Sequence, residues 1–170
     1  RGHLSLHYQP QVDIVTGRIV GAEALLRWND PQEGFISPGR FIPVAESSGI
    51  IGPLGEWVLE TACRQGRQWL DAGLTPVTIA VNVSPRQFHL TDLVRSVSTV
   101  LAHSGFPASS LELEITESAL AEHPEDALKV LRRMGDLGVR LAVDDFGTGY
   151  SSLAYLKRFP IDVLKIDQSF

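Results

Sequence analysis

Over Leu4 to Gln9 and again over Ile19 to Trp28, apolar and polar residues alternate with a period of two, which predicts β-strands. Asp13 and the pair Thr16-Gly17 lie between them, so the chain is expected to open as a β-hairpin. Past Asn29-Asp30-Pro31, a loop rich in Gly and Pro leads to a short helix over about Arg40 to Ser47, closed by Gly49. The period then lengthens. Trp57, Val58, Thr61, Ala62 and Trp69 recur at helical spacings and share one face of a helix from about Leu54 to Leu70.

From Val77 onward strand and helix patterns alternate. A strand to Val83 is followed by a helix near Thr91 to His103, a strand over Ser110 to Thr116 and a helix near Glu125 to Leu137. A strand over Arg140 to Asp145, a short helix from Ser151 and a strand over Val163 to Asp167 complete the series. Repeated β-α-β units predict a parallel sheet with covering helices. No linker or low-complexity tract divides the chain, so residues 1–170 are read as one domain. Six barrel strands are counted where a closed (β/α)8 barrel has eight, and Phe170 follows the last one directly; the expectation is an α/β barrel truncated after about its sixth strand.

Side chains on a strand alternate between its two faces, so each strand splits into two sets. One set is greasy and expected to lie under helices: Ile79, Val81 and Val83, then Leu111, Leu113 and Ile115, then Leu141 and Val143, then Leu164 and Ile166. The other set carries Glu23 and Arg27, Asn82, Glu112 and Glu114, Asp144, and Lys165 and Asp167. A barrel brings such positions together at its C-terminal mouth, where these folds place their active sites. Clustered carboxylates repel one another unless a cation lies between them. Glu23, Asn82, Glu114, Asp144 and Asp145 offer hard oxygen only, which points to Mg²⁺ or Mn²⁺ rather than zinc. Two such ions suit phosphodiester hydrolysis, with Lys165 to orient the water or neutralise charge and Arg27 to fork two phosphate oxygens. Glu112, one layer below Glu114, is assigned to structure; Asp167 is left between supporting the metal site and a structural hydrogen bond.

Composition narrows the partners. With 44% hydrophobic and 21% charged residues the chain is an ordinary globular sequence, and no apolar run is long enough to span a bilayer. A net charge of -5 argues against a nucleic-acid polymer as partner. Cys63 is the lone cysteine and falls in the apolar stripe of a predicted helix, so no internal disulfide forms and a cytoplasmic setting is expected. The five histidines are scattered without ligand spacing, and Trp28, Trp57 and Trp69 are read as packing residues.

Five blocks in order then form a pattern: Glu23-Ala24-Leu25-Leu26-Arg27-Trp28, Asn82-Val83-Ser84-Pro85, Glu114-Ile115-Thr116-Glu117-Ser118, Asp144-Asp145-Phe146-Gly147-Thr148-Gly149 and Leu164-Lys165-Ile166-Asp167. From Gln9 to Phe170 the chain resembles the EAL domains, cyclic di-GMP phosphodiesterases of bacteria, and corresponds to the N-terminal two-thirds of one. The resemblance implies a variant TIM-like (β/α)8 barrel with an antiparallel first strand, which opens cyclic di-GMP to linear pGpG using Mg²⁺ or Mn²⁺, with Ca²⁺ inhibitory. It further implies that Glu23, Asn82, Glu114 and Asp144 bind metal with Asp145 beside the ions, and that Lys165 lies near the nucleophilic water. Gln9 and Arg27 would contact substrate, and Glu117 would tether the glycine-rich loop. The family's last two strands contribute a further catalytic glutamate and a glutamine that have no counterpart here, so turnover is expected of the complete domain. A homodimer and an upstream sensory or cyclase-like domain are also implied. The alternative is an inactive EAL module that senses cyclic di-GMP, and against it all five residues Glu23, Asn82, Glu114, Asp144 and Lys165 are retained.

Overall fold

The opening alternation folds as a hairpin of β1 (Leu4–Val12) and β2 (Ile19–Asp30), paired antiparallel with Gln9 opposite Glu23. Its turn is organised by Asp13, whose Oδ1 accepts the Thr16 backbone N–H at 2.7 Å, and by Gly17 at φ 69°. This computed structural model describes residues 2–74, 77–90, 92–147, 157–167 and 169. A three-residue strand that the periodicity did not signal, β3 (Gly34–Ile36), adds to the far end of β2.

Next come α1 (Pro38–Ser47) and α2 (Ile51–Asp71), and then β4 (Thr78–Val83), which pairs parallel with β2. Pro38 and Pro53 fall in the first turns of their helices, where the missing N–H costs nothing, so both helices start earlier than the apolar period suggests. The chain continues through α3 (Pro85–Leu90), α4 (Leu93–Ser104), β5 (Leu111–Thr116), α5 (Glu117–Glu122), α6 (Pro124–Asp136), β6 (Arg140–Phe146) and β7 (Val163–Ile166). The strands follow the order β1-β2-β4-β5-β6-β7, and every pair after the first along that path is parallel. This is the α/β barrel architecture with an antiparallel first strand. The helix expected from Ser151 lies outside the described residues.

The greasy set of strand residues forms the core. Ile79, Val81, Val83, Leu111, Leu113, Ile115, Leu141 and Val143 are all buried, and they meet Leu59, Ala62 and Cys63 of α2, Val97 of α4 and Leu131 and Met134 of α6. Each such aliphatic side chain contributes about 1.5–3 kcal/mol by leaving water. Cys63 shares this burial, which pushes its thiol up to about 12, so it packs as a hydrophobe. Leu164 and Ile166 depart from the expected pattern, at 51% and 67% exposed. They lie on β7, which ends the strand path and is flanked by β6 alone among the described residues.

Two short helices at strand ends escaped the periodicity because six residues are too few to display one. Both are set by caps. Ser84 Oγ accepts the Gln87 N–H at 3.1 Å ahead of Pro85, and Thr116 Oγ1 accepts the Ala119 N–H at 3.4 Å. Gln87 is itself buried and lies over Gly55 of α2, where a Cβ would fall 2.2 Å from its amide nitrogen. A side chain at residue 55 would have to displace the Gln87 amide from this place.

Candidate active site

The polar set of strand residues gathers on the opposite face, and the sheet register brings it into layers. Asn82 on β4 stands beside Glu114 on β5, and Thr116 beside Asp144 on β6. Lys165 reaches from β7 into this group. Its ammonium lies 2.7 Å from Glu114 Oε2, 3.3 Å from Glu23 Oε2 and 3.4 Å from Asp144 Oδ2. Asn82 Nδ2 donates to the other oxygen of Glu23 at 2.8 Å. Residues from five strands therefore converge on one point.

Glu114 is the most deeply placed of them, at 1% exposed. Oε2 pairs with the Lys165 ammonium at 2.7 Å, and no other hydrogen-bonding partner reaches either carboxylate oxygen among the described residues. Burial pushes its acidity constant from 4.5 up to about 7; Lys165 opposes that rise, and the Glu23 and Asp144 charges add to it. Burial alone would depress Lys165, but Glu114 and then Glu23 and Asp144 outweigh it and hold the ammonium charged above its ordinary range.

Asp145 occupies a local irregularity. Between Val143 and Phe146 the pairing of β6 with β7 slips by one residue, and Asp145 takes φ 53°, the only positive value for a non-glycine among the described residues. A β-bulge of this kind re-aims side chains that a regular strand would send to opposite faces. Asp145 N–H donates to Asp144 Oδ1 at 3.0 Å, and burial followed by the charges of Asp144 and Asp167 raises its carboxyl above the usual range. Asparagine and aspartate are the non-glycine residues that best tolerate this backbone.

The remaining site residues fall into three positions. Glu117, 2% exposed at the start of α5, accepts the Gly147 N–H at 2.8 Å and so tethers the chain leaving β6. Gln9 sits across the ladder from Glu23, while Arg27 lies four residues further along the same face of β2 and donates to the Leu26 carbonyl at 3.0 Å. Asp167 Oδ1 accepts both the backbone N–H and the hydroxyl of Ser169, two residues on. Glu112 takes its expected place in the layer below, accepting from Arg140 Nε at 3.1 Å. Sequence reasoning missed Gln87, whose burial is signalled only by the Ser84-Pro85 cap ahead of it.

The donor set fits a hard divalent cation. It consists of carboxylate and amide oxygens, it includes a buried carboxylate with unsatisfied lone pairs, and three of its members already close around a positive charge. Among the described residues no group of three or more His, Cys, Asp or Glu side chains is arranged to hold a metal ion, and the three carboxylates close on the Lys165 ammonium instead. Glu23, Asn82, Glu114, Asp144 and Asp145 are the residues that could hold such ions.

The sequence model of the EAL domain matches residues 1–170. This chain belongs to the EAL domain family. MucR of Pseudomonas aeruginosa, a bifunctional diguanylate cyclase/cyclic di-GMP phosphodiesterase, is 50% identical over 170 residues, which are 100% of this chain and 25% of MucR. NbdA, a cyclic di-GMP phosphodiesterase of the same organism, is 46% identical over 98% of the chain and 21% of its own length. The EAL chain thus spans about a quarter or less of these relatives. The solved PaMucR phosphodiesterase in complex with c-di-GMP superposes with a TM-score of 0.95 at 50% identity, covering 98% of this chain and 68% of that one. The EAL domain of DcpA from Mycobacterium smegmatis gives 0.77 at 38% identity, covering 99% and 65%. No helix among the described residues is long and apolar enough to cross a membrane.

Proposed function

We propose that this chain forms part of an EAL domain that hydrolyses cyclic di-GMP to linear pGpG with two bound Mg²⁺ or Mn²⁺ ions. The observation that carries the reading is the convergence of Glu23, Glu114 and Asp144, from three different strands, around a single cationic group. The relatives named for cyclic di-GMP phosphodiesterase activity add the substrate.

Glu23, Asn82, Glu114, Asp144 and Asp145 would hold the metal, which supplies charge neutralisation at phosphate oxygen and a more acidic water. Gln9 and Arg27 would hold the substrate, the guanidinium through paired bonds to phosphate. Lys165 would position the attacking water or meet the charge that develops on the phosphoryl group. Glu117 fixes Gly147, and with it the exit from β6 beside Asp144 and Asp145. A cytoplasmic location, a homodimer of the complete domain and an upstream sensory or cyclase-like domain belong to the same reading.

The test is product analysis by ion-exchange chromatography, using cyclic di-GMP and Mg²⁺ with the EAL domain in its full chain. Linear pGpG is expected from the unaltered protein, and loss of turnover by a factor on the order of a thousand from Glu23→Ala. Nucleotide binding without product in either Mg²⁺ or Mn²⁺ would replace hydrolysis with a sensor role.

A further inference from the structure

Lys165 is placed unlike an ordinary surface lysine. Its side chain is 25% exposed, and the three carboxylates it touches are 0%, 20% and 21% exposed for Glu114, Glu23 and Asp144. Two of the contacts, to Glu23 and Asp144, meet hydrogen-bond geometry at 3.3 and 3.4 Å, and Glu114 pairs with the ammonium at 2.7 Å. The ammonium thus ties β2, β5 and β6 to β7 through their carboxylates.

A divalent ion held by these same carboxylates would lie close to the ammonium that they already share. At that separation and in a partly dry setting, two positive charges repel strongly. Both cannot keep the same three carboxylates at full strength.

We propose that Lys165 competes with divalent cations for Glu23, Glu114 and Asp144, so that metal uptake is an exchange in which the ammonium gives up part of this cluster. The proposal rests on the metal-centre reading above and deepens it. Lys165 acquires two roles from one position. It neutralises the carboxylates that would otherwise push the strand ends apart, and it weakens metal binding, so that a displaced ammonium is delivered beside the ions.

Calorimetric titration of the full chain with Mn²⁺ tests this, comparing the unaltered protein with Lys165→Met and Lys165→Arg, and melting each chelator-treated protein beforehand. Lys165→Met removes the competitor at nearly constant volume. It is expected to bind Mn²⁺ about tenfold or more tightly, to melt at lower temperature before addition, and to gain more from the ion. Lys165→Arg keeps the charge and is expected to stay close to the unaltered protein in affinity and melting temperature. Equal or weaker Mn²⁺ binding by Lys165→Met would overturn the exchange while leaving the metal centre standing, and so would Lys165→Arg binding as tightly as Lys165→Met. No Mn²⁺ binding by any of the three would overturn the metal centre itself.

Discussion

Glu112 and Glu114 stand two residues apart on β5, project from the same face of the strand, and are both buried, at 4% and 1% exposed. The lower one meets Arg140, which lies directly across the ladder on β6 and donates to it at 3.1 Å. The upper one has Ala142 in the equivalent place and faces instead the Lys165 ammonium, 2.7 Å from its Oε2 and shared with Glu23 and Asp144. A buried carboxylate without a full partner costs stability, whereas one matched by a guanidinium is largely compensated. What separates them is therefore the residue two positions along the neighbouring strand, arginine below and alanine above. Glu112 has a guanidinium to itself, whereas Glu114 shares one ammonium with Glu23 and Asp144, so its charge is only partly compensated.

The comparison breaks most visibly in activity. Glu114→Gln should lower cyclic di-GMP turnover by a factor on the order of a thousand, and Glu112→Gln should leave it within about twofold, as measured by pGpG release from the EAL domain in its full chain. Comparable losses from both would mean that the two glutamates belong to one unit. A second measurement uses pH. Because the folded-state acidity constant of Glu114 is raised from 4.5 to about 7, the native state holds the proton more tightly than the unfolded chain. Its favourable contribution is complete below about 4.5 and is lost as pH rises through about 7, a change on the order of 3 kcal/mol. Urea unfolding of the chelator-treated chain between these limits should register that loss, and Glu114→Gln should flatten it.

Arg140→Met attacks the lower pair instead. It would leave Glu112 buried and uncompensated, but the Arg140 side chain is 43% exposed, so water offsets part of the penalty and about 2 kcal/mol of stability should go. Turnover per folded molecule should not change. A loss of activity at constant stability would show that the lower layer helps to shape the mouth.

The two-layer arrangement was largely legible in the sequence, because strand alternation assigns Glu112 and Glu114 to one face and Leu111, Leu113 and Ile115 to the other. The convergence of Glu23, Asn82, Glu114, Asp144 and Lys165 followed from the same parity applied strand by strand. The Arg140 pairing was not legible, since it depends on register between segments 28 residues apart. Nor does anything local mark where β6 takes its extra residue: two adjacent aspartates are equally good candidates, and only pairing with β7 puts Asp145 in the left-handed conformation.

Glu117 supplies the finest test, because it is a third buried carboxylate whose role lies between the other two. At 2% exposed it is as enclosed as Glu112, and the backbone N–H of Gly147 donates to it at 2.8 Å. A neutral amide can still accept that bond through its oxygen, and only the charge-assisted part of the interaction is lost. Glu117→Gln should therefore cost about 1 kcal/mol in urea unfolding, less than Arg140→Met, and Glu117→Ala should cost more because the acceptor itself disappears. The reverse order would mean that the Glu117 charge, and not its hydrogen bond, is what holds the end of β6 in place.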